Sequence, residues 1–192
     1  MRKYKYLSAL VGLSLILSGC LGIGEGDTTT DAGGFHSFAT DEFRLDIPNS
    51  WEEVRPVQFT SDVPPNTLMA FRNNIKHPRY TATVTVIKNQ LPKEVSTLDY
   101  SKALLQRLKQ DLTGSKELGA EQVAIKISSI DTETLLMTLE GSDKPDAELK
   151  RYIHKAGVKN GVAYVVVGSY LPEESQEFVG QINRMVQSFE VR

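Results

Sequence analysis

The chain has 192 residues and a formal charge of −2, with 24% charged and 40% hydrophobic side chains, the balance of an ordinary soluble globule. Slight acidity gives no reason to expect nucleic acid or anionic lipid as a partner, since both call for a basic face. A single cysteine excludes an intramolecular disulfide and a Cys-rich zinc centre.

Residues 1–19 hold a basic start (Arg2, Lys3, Lys5), an uncharged apolar run from Leu7 to Leu17, and the small pair Ser18-Gly19 before Cys20. That order is the pattern of a secretory signal, and Leu17-Ser18-Gly19-Cys20 resembles the lipobox of bacterial lipoproteins. The resemblance implies cleavage between Gly19 and Cys20 and a diacylglycerol thioether on Cys20, with a fatty acyl group beside it. No other cofactor is expected. Two or three acyl chains, at about 0.8 kcal/mol per buried methylene, give stable attachment to a membrane. Loss of Arg2, Lys3 and Lys5 takes the formal charge from −2 to about −5, so attachment rests on the lipid and not on a basic patch. The competing reading is an uncleaved anchor. Even extended to Ile23, however, the apolar stretch falls short of the roughly 20 residues a span needs. The expected location is the extracytoplasmic face of a membrane, in a periplasm or at a cell surface.

From Leu21 to Gly34 glycine, threonine and acidic residues dominate, a composition that cannot offset the entropy of ordering and predicts a flexible tether. Residues 1–19 thus read as signal, 20–34 as lipidated tether and 35–192 as one globular domain. Gly22-Ile23-Gly24-Glu25-Gly26 follows no strand and opens no helix, so it is not a nucleotide loop.

Phe43 to Ile47 alternates apolar and polar residues, predicting a strand that turns at Pro48-Asn49-Ser50 into Trp51. Thr67 to Arg72 predicts a second strand. Tyr80 to Lys88 predicts a third, with Tyr80, Ala82, Val84 and Val86 on one face and Thr81, Thr83 and Thr85 on the other. Leu98, Ser101, Leu105, Leu108 and Leu112 then recur at three and four residues, predicting an amphipathic helix over 97–113 with Thr97 as N-cap and Gly114 as stop. Strand alternation returns over 122–130, 134–139, 148–158 and 162–170. Asn160-Gly161 favours a type I′ turn, which pairs Lys159 with Val162 and His154 with Val167. Leu171-Pro172-Glu173-Glu174 suits a helix start, with Phe178, Ile182, Met185 and Phe189 facing inward, and Ser188 to Val191 closes as a short extended piece. The expected class is α+β: an antiparallel sheet of about six strands with helices packed against it.

Two stretches carry a resemblance to the PsbP/Mog1-like superfamily. One is Phe43-Arg44-Leu45-Asp46-Ile47-Pro48-Asn49-Ser50-Trp51, an apolar strand followed by Pro-x-x-Trp. The other is the closing stretch 163–191, an apolar strand ending Gly168-Ser169, an acidic helix and a terminal Ser188-Phe189-Glu190-Val191. The resemblance covers roughly 35–192 and implies an α/β/α sandwich. It is nearly silent on activity: members are similar to extrinsic photosystem II subunits, a Ran-binding import factor and exported bacterial lipoproteins, and an exported lipoprotein matches the last group.

No residue pattern identifies a reaction. Histidines 36, 77 and 154 lack any short metal-ligand spacing, so no metal is expected. Ser169 sits at a strand end, but Tyr170 and Leu171 follow it and complete no nucleophile elbow. Glu173-Glu174 and Asp143/Asp146 fall in turns or at a helix start, where carboxylates cap and solvate. Trp51 and Phe71 read as core. The polar, basic connection containing Asn73, Asn74, Lys76, His77 and Arg79 is the candidate binding loop. The sequence thus points to a lipid-anchored, non-enzymatic binding or accessory domain serving an envelope protein. The alternative is a small-ligand binder using a cleft between sheet and helices, and an enzyme ranks last.

Overall fold

The computed structural model describes residues 34–59, 64–74 and 78–192. Their strands, in chain order, are β1 (Phe35–Ala39), β2 (Phe43–Pro48), β3 (Trp51–Val54), β4 (Thr67–Asn73) and β5 (Thr83–Gln90). Helix α1 (Thr97–Asp111) follows, then β6 (Thr113–Ile127), β7 (Ile130–Ser142), β8 (Lys150–Lys159) and β9 (Val162–Tyr170). Helix α2 (Gln176–Gln187) and β10 (Glu190–Val191) complete the described chain. The strands form one sheet in the order β1-β2-β10-β6-β7-β8-β9-β5-β4-β3.

This corrects the expected fold class. The sheet has ten strands, not about six, and it is mixed: β10 runs parallel to β6 at Val191↔Ile127 while the other pairings are antiparallel. It curls into a half-barrel, with two α-helices among the described residues. The added strands have physical reasons for going unseen. β1 and β3 hold five and four residues, too short for a period to register. The first half of β6 carries Lys116, Glu117, Gly119 and Glu121 and is exposed almost throughout, so no apolar face marks it as a strand.

Strand β9 forms as expected over 162–170, and its turn puts Lys159 opposite Val162 and His154 opposite Val167. Asn160 and Gly161 both take positive φ, 51° and 71°, as a type I′ turn requires. The main core lies between the sheet and α2, where Phe43, Phe71, Phe189, Leu45 and Ile153 are sealed from solvent with Ile182, Met185 and Val186 of the helix. Trp51 stacks on Phe178 at 5.8 Å and donates its indole N–H to Gln181 Oε1 at 3.3 Å, so the Pro-x-x-Trp turn is bolted to α2.

Helix α1 covers the other face with a second cluster of Leu105, Met137 and Leu139. Its N-cap is Ser96, whose Oγ accepts from Asp99 N; Thr97, expected in that role, is the first helical residue. The Thr97 hydroxyl instead accepts from Val158 N at 3.0 Å, and Thr134 Oγ1 donates to Ala156 O at 2.7 Å. Hydroxyls therefore satisfy the main chain of β8 where its pairing with β7, which runs from Met137 to Gly141, has ended. Gly114, the expected stop, already lies within β6, and the α1 C-cap is Leu112.

Candidate functional site

Three connections converge at one end of the sheet: β4–β5, β7–β8 and β9–α2. The register requires it, because Asn73 ends β4 beside Trp51, Thr83 opens β5 opposite Ser169, and Arg151 near the start of β8 faces Tyr170. The β2–β3 turn joins them, and Asn49 N donates to Gly34 O at 2.9 Å. Arg79 of the candidate loop bridges the other two connections, with Nη1 3.6 Å from Glu148 Oε2 and Nη2 paired with Glu173. All three side chains are about half exposed. Asn73 ends β4 and donates its N–H to Ala82 O at 3.2 Å, and Asn74 is exposed. Lys76 and His77 lie outside the described residues, as do Gly19 and Cys20.

Beneath this rim runs a hydroxyl network. Ser169 Oγ lies 2.6 Å from Tyr80 Oη and 2.9 Å from Thr83 Oγ1. The Lys150 ammonium sits 4.5 Å from the Tyr80 ring centroid and pairs with Asp143, which also accepts from Tyr152 Oη at 2.6 Å. Burial works against the Asp143 carboxylate, but the Lys150 ammonium and the Tyr152 hydroxyl outweigh it and hold its pKa below the usual value. Burial, reinforced by the Asp143 charge, pushes the Tyr152 hydroxyl far above the ordinary tyrosine range. Both effects lock charges in place and poise no proton for transfer.

The network is not a catalytic constellation. A nucleophilic serine needs a base within hydrogen-bond reach, and the Ser169 partners are Tyr80 and Thr83. His154 is in the strand facing β9, but it pairs with Val167, and its two ring nitrogens are buried without a hydrogen-bond partner. His36 bonds Asn49 Oδ1 at 2.9 Å on β1. No group of three metal-ligating side chains comes together among the described residues. Substituting Ser169→Ala removes a partner from Tyr80 and from Thr83 and is expected to cost about 1 kcal/mol, read as a lowered denaturant midpoint. An unchanged midpoint would place the hydroxyl outside the network.

Sequence reasoning missed the buried Lys155. Its ammonium donates to Gln187 O at 2.6 Å and reaches Phe189 O at 3.4 Å, capping the carbonyls at the end of α2. Burial lowers its pKa to about 8, partly countered by Glu190. Alternation within the apolar β8 run was the available signal, placing Lys155 on the face of Ile153 and Gly157.

A concavity of about 400 Å³ lies at the opposite end, between the β8–β9 turn and the start of α1, lined by Glu94, Val95, Ser96, Val158, Asn160 and Gly161. It is open and polar, and is not a cleft between sheet and helix. The Ser96 hydroxyl there is already engaged by Asp99 Oδ2 and Asp99 N.

Comparison with known proteins settles the family. The family model of PsbP matches residues 33–191. The chain belongs to the PsbP family. Among solved structures, cyanobacterial PsbP (CyanoP) from Synechocystis sp. PCC 6803 is 16% identical with a TM-score of 0.56, over 91% of this chain and 100% of that one. The Ran-binding protein Mog1p of Saccharomyces cerevisiae is 10% identical with a TM-score of 0.52, over 78% and 89%. LpqN of Mycobacterium tuberculosis, involved in cell envelope biogenesis, is 15% identical with a TM-score of 0.50, over 78% and 82%. These likenesses establish the PsbP/Mog1-like fold. No curated protein sequence matches the chain.

Proposed function

We propose that this PsbP-family protein is a lipid-anchored binding or accessory domain on the extracytoplasmic face of a cell envelope. It engages a protein partner through the three-connection end and catalyses no reaction. The observation that carries the reading is the rim itself: Arg79, Glu148 and Glu173, from three different connections, offer half-exposed charges of both signs on a rigid hydroxyl-bonded floor. Charged rims of this kind set partner choice and association rate. Membership in the PsbP family supports an accessory role. That Mog1p is Ran-binding and LpqN is involved in cell envelope biogenesis lends support to a protein partner and to an envelope setting. Leu17-Ser18-Gly19-Cys20 supplies the motif for the anchor.

The test is fractionation and in-cell cross-linking of the intact protein in a bacterial host. Cys20→Ser is expected to move the chain out of the membrane fraction, and Arg79→Glu is expected to abolish a partner adduct that the parent forms reproducibly. An unprocessed Cys20→Ser chain that stays with the membrane would replace the lipid anchor by an uncleaved span. An adduct indifferent to Arg79→Glu would move the interface off this end.

A further inference from the structure

The two residues that shape the β8–β9 turn also carry a reactive arrangement. Asn160 is exposed, and among the described residues no hydrogen bond holds its side-chain amide. Lys159 and Val162 close the two-residue hairpin and exchange its last main-chain hydrogen bonds. The Gly161 N–H is therefore left outside the ladder. No side chain crowds that nitrogen, because Gly161 has none, and a Cβ built there would meet only Gln90 Nε2, at 3.8 Å. An exposed, unheld amide thus precedes an uncommitted and unshielded backbone nitrogen.

We propose that Asn160 is a site of spontaneous deamidation through a cyclic imide, and that the product opens the turn. The Gly161 nitrogen attacks Asn160 Cγ. A C–N bond forms there, the bond from Cγ to the side-chain nitrogen breaks, and that nitrogen leaves as ammonia with the proton that Gly161 gave up. Water then adds to one of the two imide carbonyls. Addition at Cγ restores the ordinary chain with aspartate at 160. Addition at the main-chain carbonyl leaves isoaspartate, whose backbone runs through Cγ and is one atom longer. A two-residue I′ turn fits one chain length, so the longer path parts Lys159 from Val162. The Gly161 carbonyl moves with it, and that oxygen accepts from Leu91 N at 2.9 Å and from Gln90 Nε2 at 3.1 Å. Either product also sets a carboxylate into the wall of the concavity of about 400 Å³, which already holds Glu94.

The test ages the purified full chain at neutral and at mildly alkaline pH and maps its peptides by mass with a fragmentation that separates isoaspartate from aspartate. Isoaspartate is expected to accumulate at 160, faster at the higher pH because the attacking nitrogen must lose its proton. Asn66, Asn89 and Asn183, each followed by a residue with a side chain, are expected to remain amides. Asn160→Gly keeps a sequence that I′ turns accept and is expected to hold its mass. In the aged chain the Leu91 amide is expected to exchange about fivefold faster or more, as loss of its acceptor predicts. Fresh Asn160→Asp, which has the charge and the ordinary chain path, is expected to keep the parent's protection at Leu91. An Asn160 still intact in the folded chain when the same chain unfolded in guanidinium has converted overturns the proposal, and so does aspartate formed without isoaspartate. Equal Leu91 exchange in aged and fresh chains overturns the opening of the turn.

Discussion

The substitution Gly168→Val is expected to destabilise the fold by about 3 kcal/mol or more, the upper range for overpacking a core. Helix α2 rests directly on β9 at this point. A Cβ built on Gly168 falls 2.4 Å from Ile182 Cγ2 and 3.4 Å from Val186 Cγ2, and Ile182 and Val186 are both fully buried. Valine adds two further methyls into that contact, so the helix must lift. Lifting it unstacks Phe178 from Trp51 and draws the α2 carbonyls away from Lys155. Denaturant unfolding measures the loss. Truncating the opposing side chain separates this cause from a local backbone effect: Gly168→Val combined with Ile182→Ala is expected to cost clearly less than the two singles added together, as coupled neighbours do. Additive losses would show that the clash with α2 is not the source.

The second large effect is a loss of stability on acidification that traces to His154. The ring is sealed between β7 and β9, with Met137 and Val167 opposite it and the Tyr152 ring 6.2 Å away. Burial alone lowers its pKa to about 4, against about 6.5 in an unfolded chain. The sign follows directly: between those values the unfolded state binds a proton that the folded state refuses, so stability falls as pH drops. The contribution is complete above pH 6.5 and gone below pH 4. At about 1.4 kcal/mol per unit it amounts to about 3 kcal/mol. His154→Leu is expected to erase that component, leaving the carboxylate part below pH 5. At pH 7 the same variant is expected to be neutral or stabilising, because it removes two polar atoms buried without partners. An unchanged slope between pH 6.5 and 5 in His154→Leu would assign the acid sensitivity to other groups.

The sequence displayed some of this architecture and hid the rest for physical reasons. The Asn160-Gly161 turn fixed a register of nine residue pairs, His154 against Val167 among them, because a two-residue I′ turn leaves no freedom in the pairing. The helices showed through their apolar stripes, although Ser96 and not Thr97 caps the first and Ser175 caps the second. Neighbouring hydroxyls are equivalent to a pattern and distinguishable only by φ and ψ. Strand β6 was half hidden because its early residues are exposed on both sides. At the candidate site, the loop and Arg79 were legible from composition, but not the company Arg79 keeps. Tyr80 and Ser169 are 89 residues apart, and no spacing rule joins them; only the placement of β5 beside β9 does. The unpartnered nitrogens of His154 were equally invisible, since strand alternation says which face a side chain takes and not what meets it there.

The carbonyl of Gly34 bonds to the β2–β3 turn, so the polypeptide joins the sheet at the same pole as Arg79, Glu148 and Glu173. With acyl chains on Cys20, as proposed, the span of residues 20–34 could reach at most about 50 Å. Under that proposal the tether would leave the domain at the charged pole and not at the Asn160-Gly161 pole. A partner docked on Arg79 would then sit within that reach of the lipid surface, which would favour integral or peripheral membrane proteins over anything confined to the bulk compartment.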